Sequence, residues 1–173
     1  TTYSEGAQTP LYQPYHLADR DVRQWNWEHW MQIEDPIVIG NWWGIDGWSP
    51  IVDRNFHRYY YDAAERGVPF TAFVDATPNG FDVDMQELEQ LAQSDHWLRA
   101  ADGRPVVMFN WGMMTRIMDK QGQTDLYYNL LNTRLTWYVV LIDAPTKLWD
   151  AADGVGWYSS FWMTPEGQEY KYC

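Results

Sequence analysis

Four polar residues stand at the ends of apolar segments, where their side chains could do chemistry. Asp75 and Asp143 each close such a segment, and Asn41 and Asn110 hold matching places in two others. Paired carboxylates perform glycoside hydrolysis, one as acid and the other as base or nucleophile, at separations of about 5–9.5 Å. The pattern therefore makes Asp75 and Asp143 the candidate catalytic residues and the two asparagines candidate substrate-binding residues.

A second interpretation of the aspartates is structural. An aspartate that follows a strand often caps the helix or turn that comes next, because its side-chain oxygen accepts a hydrogen bond from a free backbone N–H. The sequence alone leaves both interpretations open for Asp75 and for Asp143.

Tryptophans accompany these polar residues. Trp42, Trp43 and Trp111 lie at the same segment ends, in a chain that is 17% aromatic with 12 Trp and 12 Tyr. A tryptophan combines a flat apolar face with a polar N–H, which suits stacking on a sugar ring. Side chains alternate along a strand, so only one of Trp42 and Trp43 can point inward. Packing beneath a neighbouring helix is the competing interpretation for each ring.

The apolar segments themselves predict the architecture. Continuous apolar runs are typical of buried parallel strands, and ligands of such sheets bind past the carboxyl ends of the strands. Predicted helices lie between the runs, one from Asp19 or Asp21 to Glu34 with Val22, Trp25, Trp30 and Ile33 near one face, and others over 51–65, 84–92 and 123–133. The five predicted strands cover 36–43, 69–76, 105–111, 137–144 and 154–161.

Regular alternation of strand and helix predicts an α/β fold of βαβ units. A TIM-type (β/α) barrel uses about 250 residues, whereas this chain has 173 residues, five clear strands and one doubtful strand over 10–16. We therefore expect an incomplete or shortened barrel. Residues 1–18 form an N-terminal extension or first strand, and 19–173 form one barrel-like domain.

Composition excludes several partners. The net charge of −12 repels phosphate backbones and offers no basic patch for anionic lipid. No run approaches the roughly 20 apolar residues of a membrane span. We expect neither a nucleic-acid nor a membrane partner. The polar stretch from Thr1 to Pro10 fits either a mature secreted start or a trimmed chain.

The sequence contains no cofactor or metal motif. Neither a phosphate-binding glycine loop nor a zinc-binding HExxH occurs. Cys173 is the single cysteine, so it could form a disulfide only between chains. Asp53 and His57 are four residues apart on a predicted helix, a spacing that fits a surface pair better than a metal site.

Four motifs, in order, resemble a known family. They are IVIGNWWGIDGW at 37–48, AAERGVPFTAFVDATP at 63–78, HWLRAADGRPVVMFNW at 96–111 and DGVGWYSSF at 153–161. This arrangement resembles the barrels of glycoside hydrolase families 71 and 99, which include endo-α-mannosidase. The resemblance implies a carbohydrate-active protein, extracellular or periplasmic, with a cleft at the strand carboxyl ends.

The resemblance also assigns roles to individual residues. Trp43, with Trp42, matches sugar-facing tryptophans, Asp75 matches an acidic residue at the sugar-binding edge, and Asn110–Trp111 and Tyr158 match polar or aromatic positions. The family's catalytic segment, which resembles NEWHEG, has no counterpart here. The implied function is therefore a glycoside hydrolase acting on an oligo- or polysaccharide. The alternative is a non-catalytic glycan-binding or self-assembling protein, a homo-oligomer formed through open sheet edges or Cys173.

Overall fold

Five short strands alternate with helices in the computed structural model, which describes residues 20–47 and 50–156. The strands are β1 (Val38–Trp42), β2 (Phe70–Val74), β3 (Val106–Asn110), β4 (Tyr138–Ile142) and β5 (Gly154–Gly156). The α-helices are α1 (Arg20–Trp30), α2 (Pro50–Arg66), α3 (Phe81–Leu91), α4 (Trp111–Met114) and α5 (Lys120–Thr133), and a 3₁₀ helix spans Thr146–Ala151.

All five strands belong to one parallel sheet, in the order β1-β2-β3-β4-β5. The register of β3 on β4 pairs Asn110 with Ile142, and the register of β4 on β5 pairs Ile142 with Gly156. The predicted α/β fold is confirmed, and each observed strand lies inside one of the five predicted segments. The predicted strand at 10–16, the extension 1–18, Tyr158 and Cys173 lie outside the described residues.

Burial explains why the apolar runs form strands. Every residue of β2 is buried, as expected for a parallel strand covered on both faces. β1 stands at one end of the strand order and alternates instead, with Ile39 exposed and Trp42 buried. The sequence of β1 is apolar apart from Asn41, so the exposure of Ile39 follows from the position of β1 in the sheet and not from its composition.

The helix α1 differs from its prediction. It ends at Trp30, short of the expected Glu34, and the expected face is right for Val22, which is buried, but wrong for Trp25, which is 53% exposed. Trp27 is buried instead, with its indole N–H donating to Asp62 of α2 at 3.3 Å. The contact with α2 therefore selects which aromatic residues of this Trp-rich helix face inward.

The chain divides into two compact units. The first comprises Thr1–Ala72 and Thr77–Leu98, and the second comprises Phe73–Ala76 and Arg99–Cys173. In the first unit, α2 packs on β1 through aromatic rings, since Phe56 stacks on Trp42 at 5.5 Å and meets Phe70 edge-on at 5.3 Å. The packing of these rings accounts for part of the chain's unusually high fraction of aromatic residues.

In the second unit, an arginine joins the amino ends of the strands. Arg104 donates to both carboxylate oxygens of Asp153 at 3.0 and 3.1 Å, and Asp153 also accepts from Arg134 and from the backbone N–H of Val139. Burial of Asp153 opposes its ionisation, but these hydrogen bonds outweigh it and lower the pKa of Asp153. The network ties the residues that precede β3, β4 and β5.

Within the described ranges, no helix is both long enough and apolar enough to cross a membrane.

Candidate functional site

A hydrogen-bonded pair lies at the carboxyl ends of two neighbouring strands, and both of its residues belong to the second unit. The side-chain amide of Asn110, the last residue of β3, donates to Oδ1 of Asp75 at 2.8 Å. Asp75 comes directly after β2 and is 5% exposed, and Asn110 is 3% exposed. The structure thus brings together two of the predicted site residues at the carboxyl ends of β2 and β3.

The side-chain oxygen of Asn110 also has a hydrogen-bond partner. Its Oδ1 accepts from the backbone N–H of Met113 at 3.2 Å, which makes Asn110 the N-cap of the short helix α4. Because the oxygen faces the helix, the NH₂ group must face Asp75. Asn110 therefore holds the Asp75 carboxylate in one orientation, a role distinct from the substrate contact predicted for it.

Asp143 lies at the same edge of the sheet. It follows β4 directly, one residue beyond the register partner of Asn110, and its N–H donates to the carbonyl of Gly156 at 3.0 Å. Its φ of 57° is in the left-handed region, which aspartate tolerates better than most residues. A Cβ at Gly112 would lie 3.6 Å from Oδ1 of Asn110 and 3.8 Å from Cβ of Asp143, so both residues border this glycine.

Neither aspartate is the N-cap of the next helix. The N-cap of α3, which follows β2, is Gly80, and the N-cap of the 3₁₀ helix after β4 is Pro145. Among the three polar residues at these strand ends, Asn110 is the one that caps a helix. Asp75, Asn110 and Asp143 are the predicted site residues at the carboxyl ends of β2, β3 and β4, and we call them the carboxylate cluster.

Trp111, the next predicted binding residue, is the first residue of α4. It is 8% exposed, and its carbonyl accepts from the hydroxyl of Thr115 at 2.7 Å. This burial matches the packing interpretation of Trp111.

The tryptophans at the carboxyl end of β1 belong to the first unit and have different surroundings. Trp42 has no exposed surface, and its indole N–H donates to Oδ1 of Asp53 at 2.9 Å. Trp43 is partly exposed, and its N–H donates to Oδ1 of the exposed Asn41 at 2.6 Å. As strand alternation requires, only one of the two rings can reach a ligand, and that ring is Trp43.

A buried aspartate that sequence reasoning missed lies beside this pair. Asp84, in the first turn of α3, has no exposed surface. It accepts from the backbone N–H of Ile45 at 3.0 Å and of Asn79 at 3.3 Å, and the Asn79 amide donates to the Ile45 carbonyl at 2.7 Å. The sequence carried one signal for it, an aspartate four residues after the TPNG turn.

The Asp53–His57 pair has a third member. Nε2 of His57 lies 2.9 Å from the carboxylate of Glu87 on α3, and Nδ1 lies 3.3 Å from the carboxylate of Asp53. Burial disfavours the charged imidazole, but the hydrogen bonds to Glu87 and Asp53 outweigh it and raise the pKa of His57. These side chains link α2 to α3, and the link is an ion pair when His57 is protonated. Across residues 20–47 and 50–156, no cluster of three or more His, Cys, Asp and Glu residues could hold a metal ion.

No protein-family model matches this chain, and neither a curated protein nor a solved structure matches it.

Proposed function

We propose that this protein is carbohydrate-active and that it hydrolyses a glycosidic bond in an oligo- or polysaccharide. One observation carries the proposal: Asp75, Asn110 and Asp143 lie at the carboxyl ends of three neighbouring parallel strands, at one edge of the sheet. Ligands of parallel sheets bind at this edge. Glycoside hydrolysis requires two carboxyl groups, one as acid and the other as base or nucleophile, and this edge of the sheet has two.

The two aspartates differ in their surroundings. Asp75 accepts an N–H from Asn110, which fixes the orientation of its carboxylate. Asp143 is partly exposed, so its side chain is open to a substrate oxygen. We propose that the two aspartates together form the catalytic pair.

The partly exposed ring of Trp43, held by Asn41, supplies a face on which a sugar can stack. Trp43 belongs to the other compact unit, and we propose for it a glycan-binding role that does not depend on the carboxylate cluster. An extracellular or periplasmic location accompanies this proposed function.

We also propose that the sheet is part of a (β/α) barrel. Its support is the strand order, which follows the chain order without reversal. Since crossovers in parallel sheets are right-handed, such an order places the connecting helices on one face, as a barrel does, whereas a doubly wound sheet reverses its order.

The decisive experiment is hydrolysis of a panel of oligo- and polysaccharides by the wild type, Asp75→Asn and Asp143→Asn. Each substitution keeps the side-chain shape and removes the ionisable group. We expect activity to fall at least about a hundredfold in each, the usual scale for loss of acid–base catalysis. Asp150→Asn, an exposed aspartate of the same unit, is the control and should retain activity. Equal activity in all four proteins would refute the catalytic assignment.

A second candidate function is glycan binding without catalysis, on its own or as a self-assembling protein. The observation that favours it is the burial of Asp75, because a nucleophile or base has to touch its substrate, whereas this carboxylate is 5% exposed and bonded to Asn110. A glycan array distinguishes the candidates: binding that Trp43→Ala abolishes, from a wild type without hydrolytic activity, would favour the second.

A further inference from the structure

We propose that Asp84 is a positioning residue, which fixes the loop after β1 so that Trp43 presents its ring to a glycan. The loop is residues 43–47, and we call it the Trp43 loop. The inference rests on the proposed glycan-binding role of Trp43 and adds the group that makes this role possible.

Asp84 lies at the junction of two loops. Its Oδ1 accepts from the N–H of Ile45 in the Trp43 loop, and its Oδ2 accepts from the N–H of Asn79 in the turn after β2. The side-chain amide of Asn79 completes the hydrogen-bond network, since it donates both to the Ile45 carbonyl at 2.7 Å and to Oδ1 of Asp84 at 3.3 Å. One buried carboxylate thus holds two loops together within the first unit.

The Trp43 loop packs closely against the Asp84 carboxylate. Gly44 has a φ of 81°, and a Cβ there would come within 2.9 Å of Oδ2 of Asp84 and 2.3 Å of Cδ of Pro78. A Cβ at Gly47 would lie 1.7 Å from the carbonyl oxygen of Trp43. The loop therefore folds back on Trp43 and has no room for a side chain at either glycine. Because the loop is packed this closely, a displacement of the Asp84 carboxylate would also displace the backbone of Trp43.

The loop has a second attachment, on α2. Oδ2 of Asp53 accepts from the N–H of Asp46 at 3.3 Å, while Oδ1 of the same carboxylate accepts from Trp42. Asp53 is partly exposed, whereas Asp84 is fully buried. A buried acceptor without its donors is unfavourable, so the Asp84 attachment favours a loop that keeps its N–H groups in place. The Asp53 attachment is the weaker of the two.

The chemistry of these hydrogen bonds selects a carboxylate. Both oxygens of Asp84 face N–H donors, so an asparagine at this position would turn its own NH₂ group toward one of them. Asp84→Asn keeps the size of the side chain and removes one acceptor. It therefore tests the positioning role without opening a cavity.

The experiment compares the full-length wild type with Asp84→Asn, using Asp82→Asn, an exposed aspartate in the same helical turn, as control. Proteins labelled with 5-fluorotryptophan report the Trp43 ring by ¹⁹F NMR, with its resonance assigned by Trp43→Phe. Amide exchange reports the Ile45 N–H, and titration with the glycan that binds best on an array reports affinity. We expect Asp84→Asn to shift the Trp43 resonance, to speed Ile45 exchange about tenfold and to weaken glycan affinity about tenfold. The control should match the wild type.

Two results would overturn the positioning role. One is an unchanged Trp43 resonance with wild-type exchange at Ile45, and the other is faster exchange with undiminished affinity. If Asp84→Asn does not fold, Asn79→Ala removes the amide that bridges Ile45 and Asp84 and should produce the same three changes. Failure of the proposed function has a different signature: the wild type itself binds no glycan on the array, while the resonance and exchange measurements still report whether Asp84 holds the loop.

Discussion

The side-chain amide of Asn110 donates to the carboxylate of Asp75 across 2.8 Å, and its oxygen simultaneously caps helix α4. One asparagine thus ties the end of β2 to the end of β3 and to the helix that follows. This arrangement restricts the rotamer of Asp75, because its carboxylate must keep the amide N–H of Asn110 as a donor.

Replacing Asn110 by Asp should therefore destabilise the protein in a pH-dependent way. Two carboxylates at this separation cannot both ionise readily, so one of them has a raised pKa in the folded state. A group with a raised folded pKa contributes stability below its unfolded pKa and loses it as the pH rises. We expect Asn110→Asp to be near wild-type stability at pH 4 and about 1–3 kcal/mol less stable at pH 7.

Urea unfolding followed by circular dichroism at both pH values measures this difference. Asn132→Asp, at an exposed position on α5, is the matched control and should show little change. A pH-independent loss in Asn110→Asp would mean that shape, and not charge, governs the Asp75–Asn110 contact.

The two neighbouring tryptophans should respond oppositely to substitution. Trp42→Ala removes a fully buried ring and the partner of Asp53, and it should lower the free energy of unfolding by about 3–5 kcal/mol. Trp43→Ala removes a partly exposed ring and should lower it by less than about 1 kcal/mol. Denaturant titration of both variants tests the assignment, and similar losses in the two would contradict it.

The His57 bridge predicts a loss of stability at alkaline pH. Because the folded pKa of His57 is raised, its contribution is fully present below the ordinary value of 6.5 and is lost as the pH rises through the folded pKa. The difference in unfolding free energy between the wild type and His57→Gln should therefore shrink between pH 6 and pH 9. His29→Gln, on an exposed face of α1, should show no comparable trend. A difference that grows with pH would indicate a neutral His57.

The Arg104–Asp153 network predicts the opposite pH dependence. The folded pKa of Asp153 is lowered, so its contribution is present above the ordinary value of 3.8 and disappears as the pH falls through the folded pKa. Asp153→Asn should lower Tm at pH 7 and match the wild type near pH 2. Arg104→Lys should also lower Tm at pH 7, because lysine cannot form the two parallel hydrogen bonds of a guanidinium.

Scanning calorimetry at the two pH values measures both variants. Lys147→Arg, at an exposed position in the same unit, is the control for a change between basic residues. If the Tm of Asp153→Asn stays below the wild-type Tm near pH 2, the contribution of Asp153 to stability is not ionic.

The strands were the most predictable part of the fold. Each of the five apolar runs contains one parallel strand, since burial in a parallel sheet favours continuous apolar sequence. The helix α1 was less predictable because its sequence contains Trp25, Trp27 and Trp30, and several faces of it are apolar enough to be buried. Contact with α2, through the Trp27–Asp62 hydrogen bond, made the selection.

The candidate site was also predictable only in part. Chain position and strand alternation placed Asp75, Asn110 and Asp143 at one edge, and they required one of Trp42 and Trp43 to be buried. Position along the chain could not show that Asn110 would bond to Asp75, that Trp42 would be the buried ring, or that Asp84 would hold the loop after β1. The Asn110–Asp75 hydrogen bond spans 35 residues of the chain, the Ile45–Asp84 hydrogen bond spans 39, and the Trp42–Asp53 hydrogen bond spans 11.

The sequence by itself determined the alternation of strand and helix and which polar residues end the strands, because both are set by local hydrophobic pattern. Tertiary structure alone decided which of those residues contact one another and which are buried. The physical reason is that a hydrogen bond between distant residues forms only after packing has placed its donor and acceptor within 3.5 Å, and no local pattern encodes that distance.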